Sequence, residues 1–336
     1  MTTVRRFLGL ETSCDETAAA VFTEEPRILS SVVASQHQVH APFGGVVPEL
    51  AARAHLRNLL PVIRRALEES NTKLEDLSAI AVHNRPGLVG ALVVGVSAAK
   101  MLSSMLKIPL LGVSHLEGHV YACQLAAGKN IFPCVALIVS GGHTQLMLAH
   151  AANRLEVLGR TKDDAAGEAL DKAAALMGLG FPGGPAIERE AKAGNAKKYV
   201  LPRPLLHDGL DFSFSGLKTA LLYTWRDLKR DAGDVAALNA RPDLAASLEA
   251  AVADVLTTKA MRALHQTGLK TLAVCGGVAC NTRLRLQLQA ACHKAGVELQ
   301  IPPPSLCTDN AAMAAVSLEQ WRNGEFAPAD LDALPY

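Results

Sequence analysis

The sequence has little of several features that mark specialised classes of protein. Only 4% of its 336 residues are aromatic, which argues against nucleic-acid binding by base stacking. The formal net charge is +1, so a polyanionic partner would have to be bound by a local basic patch. The seven cysteines are odd in number and include no C-x2-C pair, which argues against a disulfide framework and a cysteine zinc cluster.

Long apolar runs are also missing. The longest, residues 87–99, ends at Lys100 and is shorter than the roughly 18 residues that a membrane span needs, so we expect a buried helix there. No signal-peptide core follows Arg5-Arg6, because Glu11 comes too soon. We therefore expect a soluble cytoplasmic protein with reduced thiols and no membrane association.

What is present predicts an α/β fold with two domains. A strand, a polar turn and a second strand occur at 7–22 and again at 135–148, which suggests a duplicated, two-lobed core. A third strand, at 272–275, enters a Gly-Gly turn. The predicted helices lie at 48–69 (interrupted by Pro61), at 161–177 and at 243–266, and the Gly- and Pro-rich segment 181–215 is predicted to form loops around a cleft.

The strongest chemical signal is the pair His115 and His119, taken together with the distant Asp309. Residues four apart differ by about 40° around a helix, so both imidazoles can face one point. Two imidazoles and a carboxylate suit a divalent transition metal with open positions for substrate. The spacing alone is weak, because with 11 histidines a pair at this spacing can arise by chance. Glu117 lies about 200° from His115, where it cannot serve as the base of a zinc protease.

Two glycine turns follow apolar strands, at 140–142 and at 276–277. Missing side chains there would let backbone N–H groups approach a phosphate, although tight turns often have the same sequence. Neither turn matches a Walker or a dinucleotide-binding loop. The Pro-Gly-Gly-Pro segment 182–185 is either a third site of close approach or a rigid turn.

Acidic and basic residues allow two interpretations each. Asp164, Glu168 and Asp171 would share a helix face, either as a solvated surface or as a carboxylate site for a substrate hydroxyl or ammonium group. Several basic residues could contact a phosphate backbone or simply aid solubility. They are Lys197, Lys198, Arg203, Lys218, Arg283 and Arg285.

Six segments, in order along nearly the whole chain, resemble the TsaD family, the tRNA N6-adenosine threonylcarbamoyltransferases once called O-sialoglycoprotein endopeptidases. They are GLETSCDET at 9–17, GGVVPE at 44–49, the His115/His119 motif, VSGGHTQ at 139–145, DFSFSGLK at 211–218 and CTDN at 307–310.

The resemblance implies a two-lobed actin/Hsp70/sugar-kinase-like (ASKHA) fold with a duplicated core. One lobe would comprise 1–120 and about 305–336, the other about 121–304, with substrate and metal in the cleft between them. The implied reaction transfers the threonylcarbamoyl group from threonylcarbamoyl-AMP to N6 of the adenosine 3′ of the anticodon in tRNAs reading ANN codons, releasing AMP.

The resemblance also implies roles for particular residues. His115, His119 and Asp309 match metal ligands, with Fe²⁺ favoured and Zn²⁺ as the alternative. Residues matching contacts to the adenylate are Ile138, Val139, Ser140, Gly141, Gly142, Asp171, Gly184 and Asn281. Glu188 is a further candidate, although many relatives have Asp there. The proton of the attacking amine could go to Glu11, our first choice, or to Asp15.

The segment His83-Asn84-Arg85-Pro86-Gly87 departs from the Thr-x-Gly-Pro-Gly turn common in relatives. Arg85 adds a charge and removes backbone freedom, which changes local geometry or a partner contact. The implied partners are tRNA, a TsaB-type paralogue and a TsaE-type ATPase, and the helix at 48–69 offers a pairing face unless its apolar pattern serves only the core. The competing interpretations are an ATP-dependent small-molecule kinase and a non-catalytic nucleotide-binding scaffold.

Overall fold

The computed structural model describes residues 4–336, which form two compact units. The first consists of residues up to 129, 152–154 and 308–336, and the second of 130–151 and 155–307. The boundaries predicted from the sequence lie near 120 and 305.

Ten strands account for the two sheets of the described chain. They are β1 (Arg6–Glu11), β2 (Glu16–Thr23), β3 (Ile28–Ser35), β4 (Leu77–Arg85), β5 (Leu110–Ser114), β6 (Cys134–Val139), β7 (Thr144–Ala151), β8 (Arg154–Arg160), β9 (Thr271–Cys275) and β10 (Glu298–Gln300).

Ten α-helices and four 3₁₀ turns complete the described secondary structure. The helices are α1 (His37–His40), α2 (Pro48–Glu69), α3 (Val89–Leu106), α4 (His115–Ala127), α5 (Ala166–Leu176), α6 (Gly183–Ala191), α7 (Ser215–Thr267), α8 (Thr282–Ala295), α9 (Pro304–Cys307) and α10 (Ser317–Asn323). The 3₁₀ turns are Ala41–Phe43, Leu74–Asp76, Gly277–Cys280 and Ala311–Val316.

The two sheets have the same design. The first has the order β3-β2-β1-β4-β5, and the second, read from its other edge, has the corresponding order β8-β7-β6-β9-β10. In each, the first strand pairs antiparallel with the next strand and parallel with a later one: β1 with β2 and β4, β6 with β7 and β9. The predicted α/β fold and its duplication are therefore confirmed.

The central strands are buried because helices cover the sheets. Every residue of the central strand β6 is buried, as is typical of a strand with both faces covered. The core of the first unit includes Leu8, Leu10 and Ile80. The second unit has a core of its own, which includes Leu137 and Val274.

Helix α2 runs through Pro61 without the predicted interruption. A proline inside a helix removes one backbone hydrogen bond. Pro61 lies on the exposed side, whereas Leu59, Val62 and Ile63 are buried on the face that packs against β2 and β3. Burial of this face keeps the helix continuous despite the proline.

Three predictions of secondary structure in the second unit are wrong in their bounds. The helix predicted at 161–177 begins only at Ala166, the loop segment 181–215 contains α6, and the helix predicted at 243–266 is the later part of α7. Helix α7 is broken at Gly233, whose φ of 83° and ψ of 170° are not helical. Gly and Pro are weak guides at 182–185, because here they begin a helix instead of forming a turn.

Helix α3 is longer than predicted. It continues past Lys100 to Leu106 and, at 18 residues, is long and apolar enough to cross a membrane by length and composition. Only 33% of it is buried, with Leu92, Val96 and Leu102 packed in the core. A core helix of a globular protein passes the same test, so this is weak evidence for a membrane span.

Candidate active site and metal-binding group

The two histidines of the predicted motif begin α4 directly after β5. Helix α4 packs against the 3₁₀ turn Ala311–Val316. Asn310 caps that turn by accepting a hydrogen bond from the Ala312 amide at 3.1 Å, which fixes the backbone next to Asp309. Residues almost 200 positions apart are thereby brought together within the first unit.

His115, His119 and Asp309 form a compact group, in which the two histidines are buried and Asp309 is half-buried. His119 Nε2 lies 3.2 Å and His115 Nε2 3.6 Å from Asp309 Oδ1, and one ligand atom from each residue lies within 4.8 Å of the others. Ligand atoms about 2.1 Å from a tetrahedral ion are roughly 3.4 Å apart, so these distances fit a single ion. The donor set, nitrogen and carboxylate oxygen, suits Fe²⁺ or Zn²⁺.

A buried carboxylate lies behind His115. Glu11 Oε2 is 3.0 Å from His115 Nδ1 and 3.0 Å from His83 Nδ1, and Ser13 donates its backbone N–H to Glu11 Oε1. Ser13 Oγ lies 3.2 Å from the same His115 nitrogen. The sequence analysis did not predict that His83 belongs to this group. The only signal was its position in the segment 83–87, which departs from the family pattern.

These charges shift one another's pKa values. Burial opposes ionisation of Glu11, but His83 and His115 outweigh it and hold the pKa of the Glu11 carboxyl well below its usual range. Burial lowers the pKa of His115, but the Asp309 and Glu11 carboxylates outweigh this effect and raise the pKa to about 9. Burial and the neighbouring His115 lower the pKa of His119. In the metal-free chain His115 therefore holds a proton that a bound ion would displace.

Glu117 is not among the residues whose ligand atoms come together here, as its position on the helix predicts. Arg85 is among its charged neighbours and lowers the pKa of its carboxyl, while burial raises that pKa by more. The charge that Arg85 adds therefore acts on Glu117, whose carboxyl is also lowered in pKa by His83.

The turn at 140–142 belongs to the second unit. Ile138 and Val139 are wholly buried in β6, so only their backbone could contact a ligand, whereas Gly141 and Gly142 are exposed. A Cβ on Gly167, in the first turn of α5, would lie 2.5 Å from the Ser140 carbonyl oxygen. Glycine at this position lets α5 begin against the turn.

Asp171 and Asn281, predicted to contact the adenylate, both make hydrogen bonds within the protein. Asp171 Oδ1 accepts from the Gly183 amide at 2.6 Å, next to Gly184. Asn281 caps α8 through the Leu284 amide and donates to Glu249. Glu188 accepts from the Thr282 amide at 3.2 Å, beside Asn281. The structure therefore joins Asp171 to α6, and Asn281 to α8 and α7.

The predicted acidic helix face is not present as such, because Asp164 precedes α5. Its carboxylate binds Lys172 and Lys218 at 2.9 and 3.0 Å. The neighbouring Asp163 accepts hydrogen bonds from the hydroxyls of Ser213 and Ser215, which anchors the DFSFSG segment. These hydrogen bonds lower the pKa of the Asp163 carboxyl against the raising effect of its partial burial.

Most of the basic residues considered for phosphate contacts have partners inside the second unit. Lys198 pairs with Asp243, Lys218 with Asp164, Arg203 with Asp254, Arg283 with Glu249, and Arg285 donates to the carbonyls of Ala279 and Pro302. A structural role accounts for the position of each of these five side chains.

Comparison with known proteins gives the family. The sequence pattern of TsaD, described as tRNA N6-adenosine threonylcarbamoyltransferase, matches residues 27–316. The chain belongs to the TsaD family. It is 50% identical to the tRNA N6-adenosine threonylcarbamoyltransferase of Rhodopirellula baltica over 98% of this chain and 96% of that protein. It is 53% identical to that of Trichlorobacter lovleyi, over 92% of this chain and 90% of the relative.

Solved structures confirm the ASKHA-type fold at low sequence identity. Component A of (R)-2-hydroxyglutaryl-CoA dehydratase from Acidaminococcus fermentans matches with a TM-score of 0.57 at 13% identity, over 95% of this chain and 98% of that one. Full-length HypF in its phosphate- and nucleotide-bound form matches with a TM-score of 0.62 at 12% identity, over 96% of this chain and 47% of HypF. The TsaD family is metal-dependent, and the His-His-Asp group gives this member residues that could hold the ion.

Proposed function

We propose that this chain transfers the threonylcarbamoyl group from threonylcarbamoyl-AMP to N6 of the adenosine 3′ of the anticodon in tRNAs reading ANN codons, with release of AMP. The observation that carries the proposal is identity of about 50% to tRNA N6-adenosine threonylcarbamoyltransferases over almost the whole chain. The His-His-Asp group supports it, because the family depends on a metal.

In this proposal His115, His119 and Asp309 hold one divalent ion, Fe²⁺ by preference and Zn²⁺ as the alternative. Such an ion supplies Lewis-acid polarisation of a carbonyl oxygen. The three residues offer two nitrogens and one oxygen, which leaves further positions for substrate. His115 and His119 are buried, whereas the Asp309 side chain is 17% exposed, so substrate would reach the ion from the side of Asp309.

The adenylate would be held in the second unit. The exposed Gly141 and Gly142 offer backbone N–H groups without side-chain obstruction, as anion-binding turns do. Asp171, Gly184 and Asn281 complete the proposed contacts, with the backbone of Ile138, Val139 and Ser140. AMP is a good leaving group, so positioning and charge stabilisation supply most of the catalysis.

The proton of the attacking amine would go to Asp15 instead of Glu11. Glu11 is 1% exposed and already accepts hydrogen bonds at both oxygens. Asp15 lies at the end of the loop between β1 and β2 and has His37 Nε2 4.0 Å from its Oδ2. Asp15 is 9% exposed, so its carboxyl is the more accessible acceptor of the two, although both are largely buried.

A TsaB-type paralogue would pair with the face of α2 that carries Leu56 and Leu60. These two leucines are 68% and 62% exposed and lie four residues apart, so they form one apolar strip. A TsaE-type ATPase and a cytoplasmic location follow from the same family-based proposal. Leu60→Asp is expected to abolish co-elution with the paralogue without lowering the melting temperature.

The decisive assay mixes the metal-loaded protein with threonylcarbamoyl-AMP, its partners and unmodified tRNA, and detects threonylcarbamoyladenosine by mass spectrometry of digested nucleosides. We expect His115→Ala to lower the yield at least about 100-fold, because loss of a ligand should cost no less than loss of an outer-shell partner, which costs about 10–100-fold. The matched control is His150→Ala, since His150 is exposed and contacts only Glu156 among the ion pairs of the described residues.

Other results would overturn the proposal. Release of ADP with a phosphorylated small molecule would indicate a kinase. Ligand binding without any modified nucleoside, with all partners present and the fold intact, would indicate a scaffold.

A further inference from the structure

Three neighbouring parallel strands of the first sheet end in residues that meet around one carboxylate. Glu11 ends β1, His83 lies near the end of β4, and His115 follows β5. The strands are adjacent in the order β1-β4-β5, with Leu10 opposite Val82 and His83 opposite Val113. Since carboxyl ends of parallel strands share one edge of a sheet, the backbone alone brings these three side chains together.

We propose that Glu11 and His83 are positioning residues that fix the ring of His115 with its Nε2 directed at the metal-binding group. The proposal rests on the proposed metal role of His115. It goes further, because it assigns a function to His83, which the sequence analysis did not place in the site.

Hydrogen-bond geometry determines which atoms donate. His83 Nδ1 lies 3.2 Å from the Leu10 carbonyl oxygen and 3.0 Å from Glu11 Oε2. Both neighbours are acceptors, so Nδ1 of His83 carries the hydrogen. Glu11 Oε2 accepts from it and also from His115 Nδ1, which leaves His115 Nε2 on the side of Asp309. A carboxylate that orients a ligating histidine in this way strengthens metal binding.

The ring of His83 has no room to turn. It is fully buried and meets the ring of His115 edge-on at 5.9 Å between centroids. A Cβ on Gly118, between the two ligands in α4, would lie 2.8 Å from His83 Nε2. His83 is therefore packed against the turn of α4 that carries the metal-binding histidines, and its Nδ1 contacts the Glu11 carboxylate.

The test measures metal affinity directly, by titrating the metal-free protein with Co²⁺ or Zn²⁺ in competition with a chromophoric chelator. We expect His83→Leu to weaken binding about 10-fold or more, the range for loss of an outer-shell partner. His83→Asn keeps a donor near the position of Nδ1 and should stay within about 3-fold of the wild type. The matched control is His40→Asn, because His40 is also buried in the first unit but binds Gln36 and Val47.

Unchanged affinity in His83→Leu, or equal losses in the leucine and asparagine variants, would overturn the proposal. If His83→Leu does not fold, Glu11→Gln provides the second variant, and it should weaken metal binding while leaving the melting temperature of the metal-free protein within a few degrees. Failure of the transferase proposal would look different, as normal metal binding without modified tRNA.

Discussion

Asn281 Nδ2 donates a 2.7 Å hydrogen bond to Glu249 Oε1, while Asn281 Oδ1 accepts one of 2.9 Å from the Leu284 amide. Both ends of the side-chain amide are therefore used within the second unit. Glu249 is itself 7% exposed and accepts a further hydrogen bond from Arg283. A residue predicted from the sequence to contact the adenylate is held in a single orientation by a buried carboxylate on α7.

Replacing Glu249 tests this orientation. Glu249→Ala should destabilise the protein by about 1–3 kcal/mol, because buried polar partners lose their hydrogen bonds. It should also raise KM for threonylcarbamoyl-AMP more than it lowers kcat, since Asn281 is then free to rotate. Urea denaturation and steady-state kinetics measure the two effects. Glu190→Ala, which removes another half-buried pair with Arg241, should affect stability alone.

Gly276 allows β9 to approach β6. Its φ is +93°, and a Cβ there would lie 2.3 Å from the Val139 carbonyl oxygen. Gly276→Ala should therefore cost about 1–3 kcal/mol of unfolding free energy, as forced left-handed backbone does. Gly277→Ala is the matched control, because a Cβ there meets nothing within 4 Å, and it should stay within about 0.5 kcal/mol. Equal stability of the two variants would refute this explanation.

Lys259 predicts a pH dependence of stability. It is fully buried and donates to the carbonyls of Asp208 and Gly209 at 2.8 and 3.2 Å. Burial, followed by repulsion from Arg262, lowers the pKa of its amine to about 8, below an unfolded value of about 10.4. Between these values the unfolded chain binds more protons, so stability rises with pH.

The measurement compares the wild type with Lys259→Met in urea between pH 7 and pH 10. The free energy of unfolding of the wild type should increase relative to that of the variant as the pH rises. At pH 10 the wild type should be about 1 kcal/mol more stable, because the Lys259 amine keeps its hydrogen bonds. A constant difference across this range would show that the amine keeps its ordinary pKa.

Metal binding should stabilise the fold independently of activity. An ion that binds only the folded chain adds about 2.7 kcal/mol at 100 times its dissociation constant. Adding Zn²⁺ or Co²⁺ to metal-free protein should therefore raise the melting temperature by several degrees, and excess chelator should reverse it. His119→Ala should lose this response. A similar rise in that variant would place the ion elsewhere, for example at Asp15, Glu16 and His37.

The strands and their duplication were predictable because apolar runs at 7–10, 135–139 and 272–275 precede polar or glycine turns. Pro61 and the segment at 182–185 were misinterpreted, because helix continuation depends on burial of a face and not on local propensity. His115 and His119 were predictable from their spacing only together with the family motifs around them. His83 was not, because nothing local connects it with Glu11.

By itself, the sequence determined the family, the two-unit α/β organisation and the three candidate metal ligands, since periodicity and ordered motifs are local properties of the chain. The tertiary structure decided how those side chains are held. The junction of β1, β4 and β5 placed Glu11 and His83 behind His115, and α7 placed Glu249 beside Asn281. Such contacts join residues 32 to 104 positions apart, and only the packing of sheets and helices brings them within hydrogen-bond distance.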